Sequence, residues 1–500
     1  MEEFRETIPQ FYTGKDIFIT GGTGFMGKVL IEKMLRSCPK VNAIYMLLRP
    51  KKDKTIEERL QAITDLPLFR IVKQTNPDQL KKIIPVNGDA CLYRMGLSDE
   101  DLNKMKNVSI IFHSAASVRF DDPLKDAILL NTKGTLEVMK FAETLTNLKV
   151  LVHVSTAYCN PDYHVVEEQL YPPIADWRTA IKLAENDKYS DLLNVFFNKF
   201  SSYQPNTYTF TKSLAEQIVN EYKTKFPVVI FRPSIVVSSI DEPFAGWIDN
   251  FNGPIGMLVA SGLGVFRTMH GDPEIASDYV PVDIAIKGLI IAAYKKVVEN
   301  PVPKDIDVCN CATLNFRKVS YDDLVKYAKR VIVLNPFEKT IWAPGGGLTR
   351  CRYKNYLKFI FTHMLLAGII DLALKVFTSH KPFMMKLQRR IYGANLALSF
   401  FVRTHWTFKT EHFQKVNDFV SFRDKEDFEF ISYKNFDIDK YFKACLDGAK
   451  QYLLKESESC SRAGRIKYWV LIGLNYVVET IFKVGALFLF VRFVWNFYNN

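Results

Sequence analysis

No two of the eight cysteines stand at Cys-x-x-Cys spacing. Cys38, Cys91, Cys159, Cys309, Cys311, Cys351, Cys445 and Cys460 are scattered, a pattern of reduced thiols in a cytosol-facing protein rather than of a disulfide framework or zinc knuckle. Cys309-Asn310-Cys311 follows Ile306-Asp307-Val308 and reads as a strand end, so no metal is expected. The chain also lacks an arginine-rich arm, zinc-finger spacing and an RNP-like stretch, so its formal charge of +12 does not signal nucleic acid. That charge suits phosphate-bearing ligands or anionic lipid instead. The opening Met-Glu-Glu-Phe-Arg-Glu has no basic start followed by an apolar run, and no secretory signal is expected.

What the chain has in quantity is apolar surface. Hydrophobic residues make up 48% of its 500 positions, with 38 phenylalanines, enough for two or three cored domains and incompatible with a disordered chain.

Thr20-Gly21-Gly22-Thr23-Gly24-Phe25-Met26-Gly27 follows the apolar run Ile17-Phe18-Ile19. Without side chains at Gly21 and Gly24, a strand-to-helix turn can tighten and its amides can approach a pyrophosphate, while Gly27 lets the next helix pack on the strand. The helix should begin there, point its positive end at the phosphates, and stop at Cys38-Pro39. The residues of this cradle are expected to be Gly21, Thr23, Gly24, Phe25, Met26 and Gly27.

Ala43–Leu48 is a continuous apolar run, as befits a strand buried on both faces, and Arg49-Pro50-Lys51-Lys52 follows it. In a dinucleotide fold this strand end meets the adenosine ribose, where an arginine pairs with the 2′-phosphate of NADP. Residues 83–89, 108–113 and 150–156 supply further strands separated by helical or polar stretches, the pattern of a Rossmann-like, doubly wound parallel sheet. Asp89 ends one strand and is either an acceptor for the adenine amino group or a turn cap. His113-Ser114-Ala115-Ala116 ends another with small residues that leave room for a cofactor, His113 itself reading as a packed, hydrogen-bonded residue.

Ser155-Thr156-Ala157-Tyr158 brings hydroxyls to the carboxyl edge of the sheet, where open α/β folds bind ligands. Tyr208-Thr-Phe-Thr-Lys212 puts a phenol and an ammonium on one helix face. The lysine charge is expected to lower the phenol's pKa and so ease proton exchange, with Thr156 holding a carbonyl oxygen.

These motifs together resemble an extended short-chain dehydrogenase/reductase. Phe231-Arg232-Pro233-Ser234, Asn252-Gly253-Pro254, Arg267-Thr268-Met269-His270-Gly271-Asp272-Pro273 and Val280-Pro281-Val282-Asp283 narrow the resemblance to the eukaryotic fatty acyl-CoA reductases, over residues 11 to 450 or so. The resemblance implies Thr156, Tyr208 and Lys212 as active-site residues, Asn131 as a supporting asparagine, and Lys212, holding the ribose, and Pro233 at the cofactor. NADPH is the implied cofactor and long-chain acyl-CoA the implied substrate, reduced to primary alcohol. Two departures, Asn315-Phe316 where the family usually has Asn-Pro and Leu263 where it often has lysine, bear on acyl-chain preference. Two alternatives share the glycine turn: a membrane-bound short-chain dehydrogenase acting on a steroid or sugar nucleotide, and a non-catalytic Rossmann-type binding protein.

The expected layout is linear: a nucleotide-binding and catalytic domain over 11–345, a helical C-terminal domain over 351–455 serving as lid or tunnel wall, and a membrane segment over 466–498. Phe359 to Ile370 is apolar for only a dozen residues and is expected to be a buried helix, or else an interfacial one. Tyr468 to Tyr498 is mostly apolar, preceded by Arg462, Arg465 and Lys467 and bracketed by Tyr468, Trp469, Trp495 and Tyr498, as for a membrane anchor with a cytosolic basic flank. Glu479 and Lys483 are expected to pair on its face. Membrane lipid is therefore an expected partner, at the endoplasmic reticulum or the peroxisome, and a homo-oligomer is left open.

Overall fold

A computed structural model describes residues 6–50, 53–201, 204–299, 305–313, 316–377, 379 and 381–499; Lys51, Lys52 and Asn315 lie outside them. The chain forms two compact units, and each is made of three separate segments. Met1–Trp247, Ser277–Lys318 and His405–Phe436 make the first; Ile248–Ala276, Val319–Thr404 and Asp437–Asn500 make the second. The end-to-end layout expected from the sequence is thus replaced by an interleaved one.

The first unit is built on seven strands, β1 (Asp16–Thr20), β2 (Ala43–Leu48), β3 (Ile83–Asn87), β4 (Val108–His113), β5 (Val150–Val154), β6 (Val228–Pro233) and β7 (Asp307–Cys311). They lie in the order β7-β6-β5-β4-β1-β2-β3, every neighbouring pair parallel. Strand order reverses between β1 and β4, the switch point at which a doubly wound sheet opens a crevice at its carboxyl edge. Thr20, His113 and His153 stand side by side there by register. The strands are buried along almost their whole length because helices cover both faces, which is why they read as unbroken apolar runs.

One core cluster joins Phe18, Ile111, Leu151 and Ile230 of the sheet to Phe210, Leu214 and Ile218. The last three repeat every four residues along the helix Thr207–Glu221, and burying each contributes roughly 1.5–3 kcal/mol. This stripe sets the helix's rotation. It thereby decides where Tyr208, Lys212 and Glu216, also four apart, are aimed.

Residues 405–436 belong to this unit for a local reason. Thr407–Phe408 pairs with Val165–Val166, Asn310 of β7 donates to the carbonyls of Val166 and Lys409, and the Glu168 carboxylate accepts from the amides of Asn310 and Phe413. Trp406 donates to the Pro161 carbonyl at 3.2 Å and packs edge-on to Tyr158.

The second unit is largely helical, with Gly253–Gly262, Tyr321–Leu334, Met384–Leu398, Ile438–Gly448 and the 38-residue Arg462–Asn499. Among the described residues one helical run, Arg352–Phe377, is long and apolar enough by length and composition to cross a membrane. The short buried helix expected around Phe359–Ile370 is therefore corrected. Helix continues through a wider turn over Ile360–Leu365, and the outer side of the run is exposed. Within Arg462–Asn499, Tyr468 is buried while Tyr476, Leu487 and Phe490 are exposed. Glu479 accepts from Asn475 at 2.9 Å and stands 3.8 Å from Arg267, rather than pairing with Lys483 as expected.

Candidate active site

Gly21 follows β1 with φ +74°, and a Cβ placed there would come within 2.6 Å of the Ser114 and Ala115 backbone. The turn after β1 and the segment after β4 touch main chain to main chain, an approach only glycine permits. A Cβ on Gly27 would lie 2.3 Å from the Gly21 carbonyl oxygen, so a second glycine is needed for the helix to start at once. That helix, Phe25–Ser37, has Gly24 as its N-cap and no side-chain cap. Its first-turn amides, with exposed Thr23 and half-buried Phe25 and Met26 beside them, form a cradle suited to a pyrophosphate.

Arg49 is exposed just past β2, and its carbonyl accepts from Arg59. Its charge acts on Cys91, which puts it near the turn after β3. In that turn Asp89 Oδ1 accepts from the Cys91 amide at 3.0 Å, the capping role weighed for it in the sequence.

His113 is buried and both ring nitrogens are committed. Nδ1 lies 2.7 Å from Thr20 Oγ1 and Nε2 lies 3.0 Å from Thr135 Oγ1, which itself donates to the Asn131 carbonyl at 2.7 Å. Since Thr135 is already a donor, Nε2 carries the proton and Nδ1 accepts from Thr20. The Ala115 amide completes the chain by donating to Thr20 Oγ1 at 3.3 Å. Burial, and then the charge of Lys212, lowers the imidazole pKa to about 3. His113 is a neutral bracket between the turn and the helix, and it is not a base at neutral pH.

Asn131 lies in a wider π-helical turn, Ile128–Lys133, between two α-helical stretches, an irregularity common at functional sites. Its amide group donates to Thr211 Oγ1 at 2.9 Å and the Ser117 carbonyl at 3.2 Å, and its oxygen accepts from the Ser117 amide at 2.8 Å. Thr132 adds a bond to the Thr211 carbonyl. These contacts clamp the middle of the Thr207–Glu221 helix, between Tyr208 and Lys212.

Thr156 is buried two residues past β5. The Ser155 and Ala157 amides donate to the Phe231 and Pro233 carbonyls of β6, so the segment bearing it stays pinned to the sheet. The Tyr208 phenol is beside the Thr156 hydroxyl and stacks on Phe120 at 6.0 Å. Burial holds the phenol pKa well above its ordinary value, the Thr156 hydroxyl opposes this, and Cys159 adds to it. The sequence-based expectation of a phenol lowered by Lys212 is thus not met, because Lys212 Nζ donates to the Val154 carbonyl at 2.7 Å and burial outweighs the rest. Lys212 is itself lowered to about 8 by burial, with Glu216 and Cys159 pulling it back.

Glu216 and Arg232 were not singled out as site residues in the sequence. Arg232 is fully buried and meets Glu216 with two bonds of 2.8 and 2.7 Å, its other N–H groups going to the Glu167 and Gln169 carbonyls. Burial opposes ionisation of Glu216 most strongly, yet the Arg232 charge and its hydrogen bonds bring the carboxyl pKa below the ordinary value. A glutamate four residues beyond the lysine was visible as a spacing. Its arginine partner comes from β6 and had no local signal.

A seven-stranded parallel sheet with a glycine cradle at its switch point, and a tyrosine–lysine helix beside a strand-end threonine, defines an extended short-chain dehydrogenase/reductase. The family models described as "Male sterility protein" match residues 19–289, a nucleotide-binding module, and 362–456. Fatty acyl-CoA reductase 1 of Gallus gallus is 36% identical, over 98% of this chain and 96% of that protein. The Homo sapiens protein of the same name is 35% identical over the same shares, and fatty acyl-CoA reductase wat of Drosophila melanogaster is 36% identical over 96% and 92%. The chain belongs to the fatty acyl-CoA reductase family. Among solved structures, the terminal R domain of the myxalamid PKS-NRPS pathway matches with a TM-score of 0.56 at 18% identity, covering 87% of this chain and 90% of that one. The reductase domain of a Mycobacterium tuberculosis nonribosomal peptide synthetase matches with 0.59 at 16%, covering 88% and 92%. These two share the fold.

Proposed function

We propose that this chain reduces long-chain fatty acyl-CoA to the primary alcohol with NADPH, at the edge formed by Thr156, Tyr208 and Lys212. The observation that carries the proposal is the half-buried Tyr208 phenol beside the buried Thr156 hydroxyl, with Lys212 anchored on Val154 next to them, in a chain of this family. Two hydroxyl donors at one point suit a carbonyl oxygen that gains negative charge, and one such donor is commonly worth about 3 kcal/mol in a transition state. A phenol held above its ordinary pKa stays protonated at neutral pH. It can therefore give its proton to that oxygen when the charge develops.

The nicotinamide cofactor supplies the hydride; residues fit to hold it are the Gly21–Gly27 cradle, Arg49, Asp89, Ala115 and Pro233, with His113 and Asn131 fixing the walls. Arg49 supports NADPH over NADH, as a guanidinium at the end of β2. Reduction of the thioester releases CoA as the thiol and leaves an aldehyde. The same hydroxyl pair can hold the aldehyde for a second reduction, since an aldehyde carbonyl is more electrophilic than a thioester.

We place the catalytic unit on the cytosolic face of an intracellular membrane, anchored by Arg462–Asn499. A chain ending at Ser461 should lose the part of its membrane attachment that resists carbonate extraction. The activity test is stoichiometric: incubation with palmitoyl-CoA and NADPH, aldehyde trapped by a hydrazine. About two NADPH oxidised per CoA released, with alcohol as product, supports the proposal; a ratio near one with aldehyde accumulating overturns the alcohol-forming step. No CoA release overturns the substrate class.

A further inference from the structure

The run Arg352–Phe377 carries large apolar side chains on its outer side as well as its inner one. Its inward positions Phe359, His363 and Ala367 are buried, and the polar one among them is fully engaged, His363 bonding Gln388 at 2.8 Å and the Arg267 amide at 3.1 Å. Asp371, further along, accepts from the amides of Phe383, Met384 and Met385 at 2.9 Å each. Those bonds close the turn into the helix Met384–Leu398 and make the two helices a hairpin. The outward positions Leu365, Ile369, Leu372, Val376 and Phe377 are 43–83% exposed. A helix shaped by water keeps large apolar side chains off its outer side, and this one presents a row of them there.

Cations gather at one end of the apolar stripe. Lys386, Arg389 and Arg390 line a shallow cleft together with Asp371, Pro382 and Met385, and Lys375 and Lys381 are exposed nearby. Asp371 is the acid in that cleft, and its oxygens are spent on backbone amides. An apolar strip ending in a cluster of positive charge is the complement of an anionic phospholipid layer, whose acyl chains meet the strip and whose phosphates meet the cations.

We propose that the hairpin of Arg352–Phe377 and Met384–Leu398 lies in the plane of an anionic phospholipid bilayer, its outer stripe sunk among the acyl chains and its basic end on the headgroups. The orientation follows from the inner side. A helix crossing the bilayer alone would meet lipid all round, whereas His363 is tied to the Arg267 backbone and Phe359 packs on Tyr392 of the second helix, ring centroids 5.0 Å apart. From Leu365 to Phe377 the stripe extends about 18 Å at 1.5 Å per residue, long enough to lie along the interface. The inference rests on the proposed membrane attachment and adds a second contact to it, separate from Arg462–Asn499.

The test uses the full chain in vesicles of phosphatidylcholine and phosphatidylserine that carry a photoactivatable acyl chain, with cross-links mapped by mass spectrometry. Labels on Leu365, Ile369, Leu372 and Val376 but not on Phe359, His363 or Ala367 are the expected result. Labels on both sides of the helix would mean that it crosses the bilayer, overturning the in-plane hairpin. Labels confined to residues beyond Tyr476 would overturn the second contact and leave membrane attachment standing; no labels anywhere would overturn both. Replacing Arg389→Glu and Arg390→Glu together should lower stripe labelling on the order of tenfold and remove its dependence on phosphatidylserine. Equal labelling of the double variant would exclude the basic end as the headgroup contact.

Discussion

The carboxyl edge of the sheet and the outer face of the Arg352–Phe377 hairpin violate the ordinary division of residues in opposite ways. At the sheet edge, charged and polar groups are buried: Lys212, Glu216, Arg232, His113 and Asn131 are all nearly inaccessible, and each has a named partner. At the hairpin, leucine, isoleucine, valine and phenylalanine are exposed while a histidine points inward. Burying polarity is costly unless every group is bonded, so the sheet edge should tolerate almost no change. Exposed apolar side chains contribute little to folding in water, so the hairpin should tolerate a great deal. The proposed chemistry would account for the first exception, and the proposed contact with lipid for the second.

The sharpest break of this contrast is Tyr208→Phe. It deletes one hydroxyl without emptying a core site, and turnover should fall about 10³-fold while far-ultraviolet circular dichroism stays the same. Turnover within tenfold of the parent would put the proton donor elsewhere.

Next in size is Glu216→Gln, which leaves Arg232 buried and uncompensated. Unfolding in urea should reveal a loss of about 3–5 kcal/mol. A loss below 1 kcal/mol would show that the pair is not maintained in solution.

Lys212 carries a pH signature. Its pKa is about 8 in the folded chain against 10.5 ordinarily. Below pH 8 both folded and unfolded chains hold the proton and the native state bears the burial cost; between pH 8 and 10.5 the native state sheds it first, so stability rises with pH. Relative to Lys212→Met, the parent should gain about 3 kcal/mol across that window. A flat difference in urea midpoint across the same range would mean that the ammonium is solvated.

Smaller again is Arg49→Asp, which should shift the ratio of kcat/KM for NADPH over NADH about tenfold toward NADH. Equal use of both cofactors by the parent would remove Arg49 from the cofactor site. The smallest effect belongs to the hairpin. Leu372→Ser should change stability in detergent by no more than about 0.5 kcal/mol, whereas Leu214→Ala in the sheet core should cost about 2–5 kcal/mol. Similar losses at the two positions would erase the contrast.

Sequence by itself determined the parts that local chemistry dictates. Glycines 21, 24 and 27 after an apolar run mark a strand-turn-helix, and at Gly21 and Gly27 a Cβ would strike backbone. Apolar runs bounded by turns marked β1 to β5, and four-residue spacing put Tyr208 and Lys212 on one helix face. Only the tertiary structure decided what those side chains meet. The Asn131–Thr211 clamp joins residues 80 apart and the Arg232–Glu216 pair joins strand to helix, contacts with no periodic trace in the chain. Folding likewise decided that 405–436 returns to the sheet through Asn310 and Glu168, where the linear reading drew a single C-terminal domain. It decided, too, that the phenol of Tyr208 is raised rather than lowered. A pKa answers to the balance of burial against every nearby charge, and burial is a property of the assembled fold, which a spacing of residues does not contain.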